Sequence, residues 1–342
     1  MASVSANKIL PGAKKTTLSP SRTLRRAGAP RERNCSVGRT IDVIGDGWTF
    51  MVLRECYFGV KRFEQFKALL GLPRTTLSSR LQALTTVGLL RRVRYTDRPP
   101  RFEYRLSPAG IELYSVMLAL MSFGDKWLAG ARGKPLQLVH RTCAKPCRAI
   151  VICSSCHQEI LPQRVSYRDG PGAGTRPMRA VHAKRRSADP TALERRRPSS
   201  VARALQVIGD RWSFMILREA FLGVRRFDDL QTRLAIAPNI LTDRLARLVG
   251  SGVFRREQYQ TGPDRYEYRF TEVGKDLYGP MITMLRWGDR WLADGKPPMI
   301  LRHLDCDHDF DAVVACDQCR QALQAHDMQY QMHYPDPAMT VT

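Results

Sequence analysis

The sequence predicts an α+β chain, mainly α, built from one domain used twice with a small Cys/His appendage behind each copy. Three observations predict it. The stretch IDVIGDGWTFMVLRECYFGVKRFEQF (41–66) returns as LQVIGDRWSFMILREAFLGVRRFDDL (205–230), identical at 14 of 26 positions with a constant offset of 164. That is internal duplication. In both copies apolar residues recur at helical spacing, are stopped by Gly, and give way to two short alternating runs. Behind each copy, His140-x2-Cys143-x9-Cys153-x2-Cys156 is matched by His303-x2-Cys306-x9-Cys316-x2-Cys319.

The 342 residues leave room for two domains of ordinary size, and a 43% apolar share supplies their cores. Net charge is +23, which favours a polyanionic partner. Residues 1–33 hold eight Lys/Arg against one acid, and 164–197 hold ten against three. Each stretch carries +7, which leaves +9 of the +23 for the folded parts. No run approaches the roughly 18 apolar residues that span a bilayer. Lys8, Lys14 and Lys15 have no apolar core after them, so the start does not read as a secretory signal. Nine cysteines, an odd number clustered near the end of each copy, fit metal sites in a reducing cytoplasm better than a disulfide framework.

Residues 1–33 lack any period and read as a disordered basic tail. The first domain is expected over 34–132, with a Cys/His ribbon at 133–164. Within it, Val37–Ile44 is a short helix ended by Gly45, and Trp48–Phe58 a second ended by Gly59. Arg62–Leu70 is a third, with Phe63 and Phe66 on one face. Gly71-Leu72-Pro73 turns the chain. Thr75–Val87 is a fourth helix, in which Leu77, Leu81 and Leu84 form one buried stripe and Gly88 ends it. Strands follow at Leu89–Tyr95 and Arg101–Leu106, joined by Asp97-Arg98-Pro99-Pro100. Ser107-Pro108 then caps a long helix to about Leu128. That helix is apolar on more than one face, so one face wants a partner surface.

A flexible basic linker is expected at 165–198, where GPGAG, Arg185-Arg186 and Arg195-Arg196-Arg197 fall. The second domain (199–295) repeats the helices near Val201–Ile208, Trp212–Leu222, Arg226–Leu234 and Asn239–Val249. Its strands are Val253–Tyr259 and Tyr266–Phe270, and its long helix runs from about Glu272 to Trp291. A second ribbon (296–330) and a tail (331–342) close the chain.

A helix followed by a basic two-stranded ribbon can occupy a DNA major groove and grip the backbone beside it. The string C-x6-D-V-I-G-D-x-W-x4-L-R-E, then G-V-x-R-F-x-x-F, the fourth helix, the R-P-P tip and E-Y-R-L-S-x-x-G, resembles the HxlR-type regulators. These are winged helix-turn-helix transcription factors related to the MarR group. The resemblance covers about 35–128 and 199–292, and it implies a dimeric DNA-binding regulator with the fourth helix in the major groove and the wing on the flanking backbone. Because one chain carries both halves, it also implies an intramolecular pseudo-dimer, with further homodimer formation left open. Some members of the group sense electrophiles through a cysteine before the first helix. Cys35 stands there as a possible redox sensor or as a packed residue, and Ser199 replaces it in the second copy.

In the first copy, Thr75, Thr76, Ser78, Ser79 and Arg80 face the groove from the fourth helix, with Arg98 and Arg101 on the wing and Arg62 on phosphate. The second copy offers Asn239, Thr242, Arg244 and Arg247, with Arg265 on its wing and Arg226 on phosphate; Asp243 stands among them as a repulsive charge. Arg80 and Arg244, at equivalent places, are the foremost candidates. Arg54 and Arg218 are read as structural, pairing with Glu55 and Glu219. Trp48 and Trp212 are read as core, as is Cys56. The eight residues His140, Cys143, Cys153, Cys156, His303, Cys306, Cys316 and Cys319 have the half-site spacing of a structural Zn2+ ribbon, one site per copy. Cys147, His157 or His308 could stand in for a histidine, and Cys153 with Cys156 could instead form a disulfide.

No nucleophile–base pair, phosphate-cradling glycine loop or paired acids stand out, so no enzyme is expected. The expected function is a cytoplasmic, sequence-specific DNA-binding regulator, nucleoid-associated when bound. It acts as a repressor on an asymmetric operator, because the two reading faces differ. The rival is a protein-interaction scaffold built on the same winged helices, and a further alternative is a redox- or ligand-responsive regulator.

Overall fold

The computed structural model describes residues 31–44, 47–130, 133–177, 197–208, 210–260, 262 and 265–334. Residues 1–30, most of the expected linker (178–196) and 335–342 lie outside them.

The first copy runs β1 (Arg31–Arg33), α1 (Ser36–Ile44), α2 (Gly47–Tyr57), α3 (Phe63–Leu70), α4 (Arg74–Thr86), β2 (Leu90–Thr96), β3 (Arg101–Leu106), α5 (Pro108–Glu112) and α6 (Tyr114–Trp127). Strands β4 (Leu136–His140), β5 (Lys145–Cys147), β6 (Ala149–Cys153), β7 (Val165–Asp169) and β8 (Thr175–Pro177) follow. The second copy runs α7 (Ser200–Ile208), α8 (Arg211–Phe221), α9 (Phe227–Leu234), α10 (Pro238–Gly250), β9 (Phe254–Gln260), β10 (Arg265–Phe270), α11 (Glu272–Lys275) and α12 (Tyr278–Leu292). Strands β11 (Met299–His303), β12 (His308–Asp309), β13 (Ala312–Cys316) and β14 (Met328–Met332) end it.

The leucine stripes decide how the fourth helices sit. Leu77, Leu81 and Leu84 of α4 and Leu241, Leu245 and Leu248 of α10 are fully or almost fully buried, and α4 packs on α2 as α10 does on α8. The wings are antiparallel hairpins, β2 with β3 and β9 with β10. Each is tied to the loop before the third helix. Tyr104 N–H donates to the Lys61 carbonyl and Tyr268 N–H to that of Arg225, both at 2.8 Å.

The single long helices read from the sequence are each broken after about a turn. The Ser107 hydroxyl accepts from Gly110 N–H and donates to the Gly88 carbonyl. This draws α5 onto the start of the wing so closely that a Cβ on Gly110 would lie 2.3 Å from the Leu89 carbonyl oxygen. Thr271, Gly274 and Val253 repeat the arrangement. The chain must turn again before the second segment.

The face of the long helix left without a partner in its own domain is covered by the other copy. Helix α6 packs on α7, α12 on α1, and α6 on α12. The contacts are reciprocal. Ser200 hydroxyl donates to Asp125 as Ser36 hydroxyl does to Asp289. Arg203 donates to the Leu128 carbonyl as Arg39 does to that of Leu292. Trp127 Nε1 donates to Asp276 and Trp291 Nε1 to Glu112, each at 2.7 Å. Burial at this junction pushes the Asp289 carboxyl up to about 6. Gly124 and Gly288 make the approach possible: a Cβ on Gly124 would stand 2.1 Å from the Ser200 carbonyl oxygen. Gly124→Ala is therefore expected to cost about 1–3 kcal/mol in urea unfolding. Gly250→Ala, with nothing within 4 Å, is the control and should be near neutral.

The ribbons are also shared. Strand β6 pairs with β13, β4 with β14, and β7 with β11. One ribbon per copy is thus corrected to two ribbons with exchanged strands. The expected tail and linker are revised too. Arg31–Arg33 pairs with Thr175–Pro177, and buried Glu32 receives Arg176 and Arg211, which also meet Asp42. Basic composition read as solvated charge, but these arginines have acid partners far away in the sequence.

Candidate nucleic-acid interface and candidate metal centres

Each fourth helix presents its polar side outward because its leucine stripe is buried. Thr75, Ser78 and Ser79 of α4 are exposed, with Thr76 and Arg80 half-buried; Asn239, Thr242 and Arg247 of α10 are exposed. Arg244 differs from expectation. It is half-buried and paired with Asp210 (2.9 Å) and Asp243, so it is held within its own domain. Asp243 does not repel phosphate alone; it neutralises Arg244.

Arg62 and Arg226 are exposed just before α3 and α9, and each lies over a wing tyrosine. The guanidinium carbons are 4.8 Å from the Tyr95 ring centroid and 4.6 Å from that of Tyr259. This recurrence fixes both arginines beside the wings. Arg98 and Arg101 are exposed at the first wing tip, and Arg265 at the second. Reading the tip alone missed the strands. Arg91, Arg92 and Arg94 are exposed along β2, with Arg92 stacked 3.6 Å over Phe102. The period-2 string LRRVRYT carries that signal. In the second wing Arg255 is paired with Glu257, and Arg269 with Glu257 and Glu267. The first wing has pairs of its own, Arg94 with Asp97 and Arg105 with Glu103, but it sets six arginines against two acids over 90–106 and is the more basic of the two.

Other recurring residues are structural. Arg54 and Arg218 are buried beside Glu55 and Glu219. Trp48 and Trp212 pack against the core, and Cys56 is buried in it. Cys35 is 4% exposed and packs in the core. Its counterpart Ser199 accepts from Ala202 N–H at the start of α7.

All eight expected metal ligands come together, but in sets different from those the spacing suggested. One group is His140, Cys143, Cys316 and Cys319; the other is Cys153, Cys156, His303 and Cys306. Each joins the His-x2-Cys of one copy to the Cys-x2-Cys of the other. The cause is the β6–β13 pairing, which sets Cys153 opposite Ala312 and Cys316 opposite Ala149. Within each group every donor atom lies within 4.8 Å of the others. Cys143 and Cys316 sulfurs are 3.9 Å apart, and His140 Nδ1 is 3.6 and 3.3 Å from Cys143 and Cys319. In the second group the Cys153–Cys306 sulfurs are 3.9 Å apart, and His303 Nδ1 is 3.3 and 3.5 Å from Cys156 and Cys306.

A tetrahedron with metal–sulfur bonds of about 2.3 Å has sulfur–sulfur edges of about 3.8 Å, so the donor sets fit a four-coordinate ion. Backbone N–H groups of Ser155 and Gln318 point at Cys153 and Cys316 sulfurs at 3.4 Å. His303 Nε2 lies 3.3 Å from an Asp305 oxygen. The alternative ligands do not join: His157 and His308 are exposed, and Cys147 belongs to neither group.

Two helix-turn-helix domains with wings, back to back in one chain, define a DNA-binding class of protein. The HxlR-like helix-turn-helix family matches residues 43–132 and 207–296, and the chain belongs to that family. An uncharacterized HTH-type transcriptional regulator of Mycobacterium tuberculosis is 45% identical over 137 residues, 40% of this chain and 87% of the relative. One of Bacillus subtilis, YdeP, is 34% identical over 96 residues, 27% of this chain and 73% of the relative. Among solved structures, the redox regulator HypR in its reduced form is 30% identical, with a TM-score of 0.26 over 28% of this chain and 99% of that one. The family and these relatives are transcriptional regulators, not enzymes. Among the described residues no helix is long and apolar enough to cross a membrane.

Proposed function

We propose that the chain is a cytoplasmic, sequence-specific DNA-binding repressor that works as an intramolecular pseudo-dimer. The observation that carries this reading is the reciprocal junction, in which Ser36, Asp289, Gly288 and Trp291 repeat the roles of Ser200, Asp125, Gly124 and Trp127. Two winged helices fixed on one frame can engage neighbouring half-sites. The half-sites differ, because α4 offers Thr75, Thr76, Ser78, Ser79 and Arg80 where α10 offers Asn239, Thr242, Arg244 and Arg247. The first wing carries more of the phosphate binding, through Arg62, Arg98 and Arg101, than the second through Arg226 and Arg265. Each Cys3His group holds one structural Zn2+. When bound, the ion closes a ribbon across the two copies; the chain's own residues supply the shape, and no chemistry on a substrate is asked of it. Cys35, buried in the core, is a packing residue in this reading.

Binding to the DNA upstream of its own gene, against a scrambled duplex across a salt series, tests the proposal. Preferential binding with a steep negative slope of log K on log salt is expected. Arg98→Ala and Arg101→Ala should each flatten that slope by about 0.9, whereas Arg244→Ala should leave it unchanged. Equal binding to both duplexes would refute sequence reading, and no binding at low salt would favour a protein-interaction scaffold.

A further inference from the structure

A cavity of about 100 Å3 opens beneath the first winged helix, walled by three bodies at once. Helix α2 and the turn after it supply Tyr57 and Phe58, and α6 supplies Tyr114 and Met117; the start of α7 supplies Ser200 and Val201; the exchanged strands β4 and β14 supply Leu138, Met328 and Tyr330. Its walls are aromatic and soft. Tyr57 and Tyr114 rings lie 5.0 Å apart, and Phe58 meets Tyr330 edge-on at 4.6 Å. Methionine sulfurs beside rings favour an aromatic guest, and apolar cavities of this order hold one aromatic ring.

The polar groups on the wall limit what the guest can be. Among the described residues Arg54 is the single cation lining the cavity, and its guanidinium is committed. Nε and Nη2 donate to Glu55, and Nη1 donates to the Arg197 carbonyl. Tyr57 hydroxyl donates to the Gly110 carbonyl, and Ser200 hydroxyl to Asp125. Burial holds the Tyr57 and Tyr114 phenols well above their ordinary range, so the lining rings stay neutral. A carboxylate guest would be desolvated without a free counter-charge. Phe58 is particular to this copy, since Leu222 replaces it in the other, where Phe221 and Tyr278 keep the counterpart ring pair at 5.0 Å.

We infer that this cavity is a binding site for a small, neutral, single-ring aromatic molecule. Bound there, the molecule touches the first domain, the second copy's first helix and an exchanged strand together. It therefore stabilises the arrangement of the two copies over any in which they part. The regulatory meaning rests on the function proposed above, but binding does not.

The test is a fluorine-NMR titration of the full chain with 4-fluorophenol, with 4-fluorobenzoate as its charged counterpart, in the absence of DNA. Saturable 4-fluorophenol binding with Kd on the order of 1 mM or tighter is expected, with 4-fluorobenzoate at least about ten-fold weaker, as an uncompensated buried charge requires. Met117→Trp should fill the cavity and abolish binding. Should that variant fail to fold, Phe58→Leu, which installs the second copy's residue, decides the matter by weakening binding at least about three-fold. Hydrogen exchange at the start of α7 and in β14 should slow with ligand. No saturation by about 10 mM, equal binding of the benzoate, or unchanged affinity in folded Phe58→Leu would each overturn the inference. Failure to bind DNA would sink the regulator alone, and an unsaturable cavity this inference alone.

Discussion

The Cys143→Ser/Cys316→Ser double variant is expected to keep one Zn2+ per chain, and Cys143→Ser/Cys153→Ser to keep none. The first pair of substitutions falls in one group, the second in both groups. One site per copy would give the opposite result, because Cys143 and Cys153 would then share a site. Metal content by mass spectrometry after desalting separates the two arrangements without reference to DNA. The effect on stability is large. A structural Zn2+ contributes on the order of 10–16 kcal/mol of apparent binding free energy at neutral pH, and here each ion would join segments about 150 residues or more apart, such as Cys153 to Cys306 and Cys143 to Cys316. Losing even about 3 kcal/mol of this should lower the melting midpoint by roughly 6–12 °C. Chelator treatment of the native chain should do the same and free β7 from β11 and β14 from β4, visible as loss of hydrogen-exchange protection in Val165–Asp169 and Met328–Met332. Protection unchanged after full metal removal would show that strand exchange holds without the ion.

Much of this molecule was legible in the sequence where the deciding interactions are local. Leu77, Leu81 and Leu84 are close enough to define a face by themselves, and Gly59, Gly71 and Gly88 adopt left-handed φ values of 85°, 63° and 78° where they end helices. The candidate ligand residues were legible for the same reason, since His-x2-Cys and Cys-x2-Cys are complete turns. Their pairing was not, because a half-site is equally complete whichever copy supplies its complement. The choice is made by strand pairing between β6 and β13, which spacing does not encode. The interface candidates divide in the same way. Exposure of Ser78 and Ser79 followed from the stripe beneath them, whereas the loss of Arg244 to Asp210 depends on a contact between separate helices. Charge composition misled most. Arg176 and Arg197 sit in stretches dominated by Arg, Pro and Gly, yet both are drawn to buried acids, Glu32 and Glu55, that no local pattern connects to them.

Arg197→Ala is expected to destabilise the chain by about 3–5 kcal/mol, and Arg33→Ala, the same position in the first copy, by less than about 1 kcal/mol. Arg197 is 3% exposed and its Nη2 donates to Glu55 Oε2 at 2.5 Å, with Glu55 fully buried. Arg54 occupies the other carboxylate oxygen, and its Nη1 donates to the Arg197 carbonyl at 3.2 Å. Truncating Arg197 leaves a buried carboxylate with one cation and a void above Phe58, whose ring the guanidinium covers at 5.6 Å. Arg33 meets Asp169 at 2.8 Å, but the two side chains are 31% and 70% exposed, so water screens the pair and replaces it at little cost. Urea unfolding of the two variants, with Arg197→Lys as a third, reads the contrast. Lysine keeps the charge but not the fork that grips Glu55 while lying over Phe58, and should recover only part of the loss. Comparable small losses for Arg33→Ala and Arg197→Ala would mean that the residue entering the second copy is held no more firmly than the one entering the first. The joining segment would then be tethered by the β7–β11 pairing and the metal sites, with no share from Glu55.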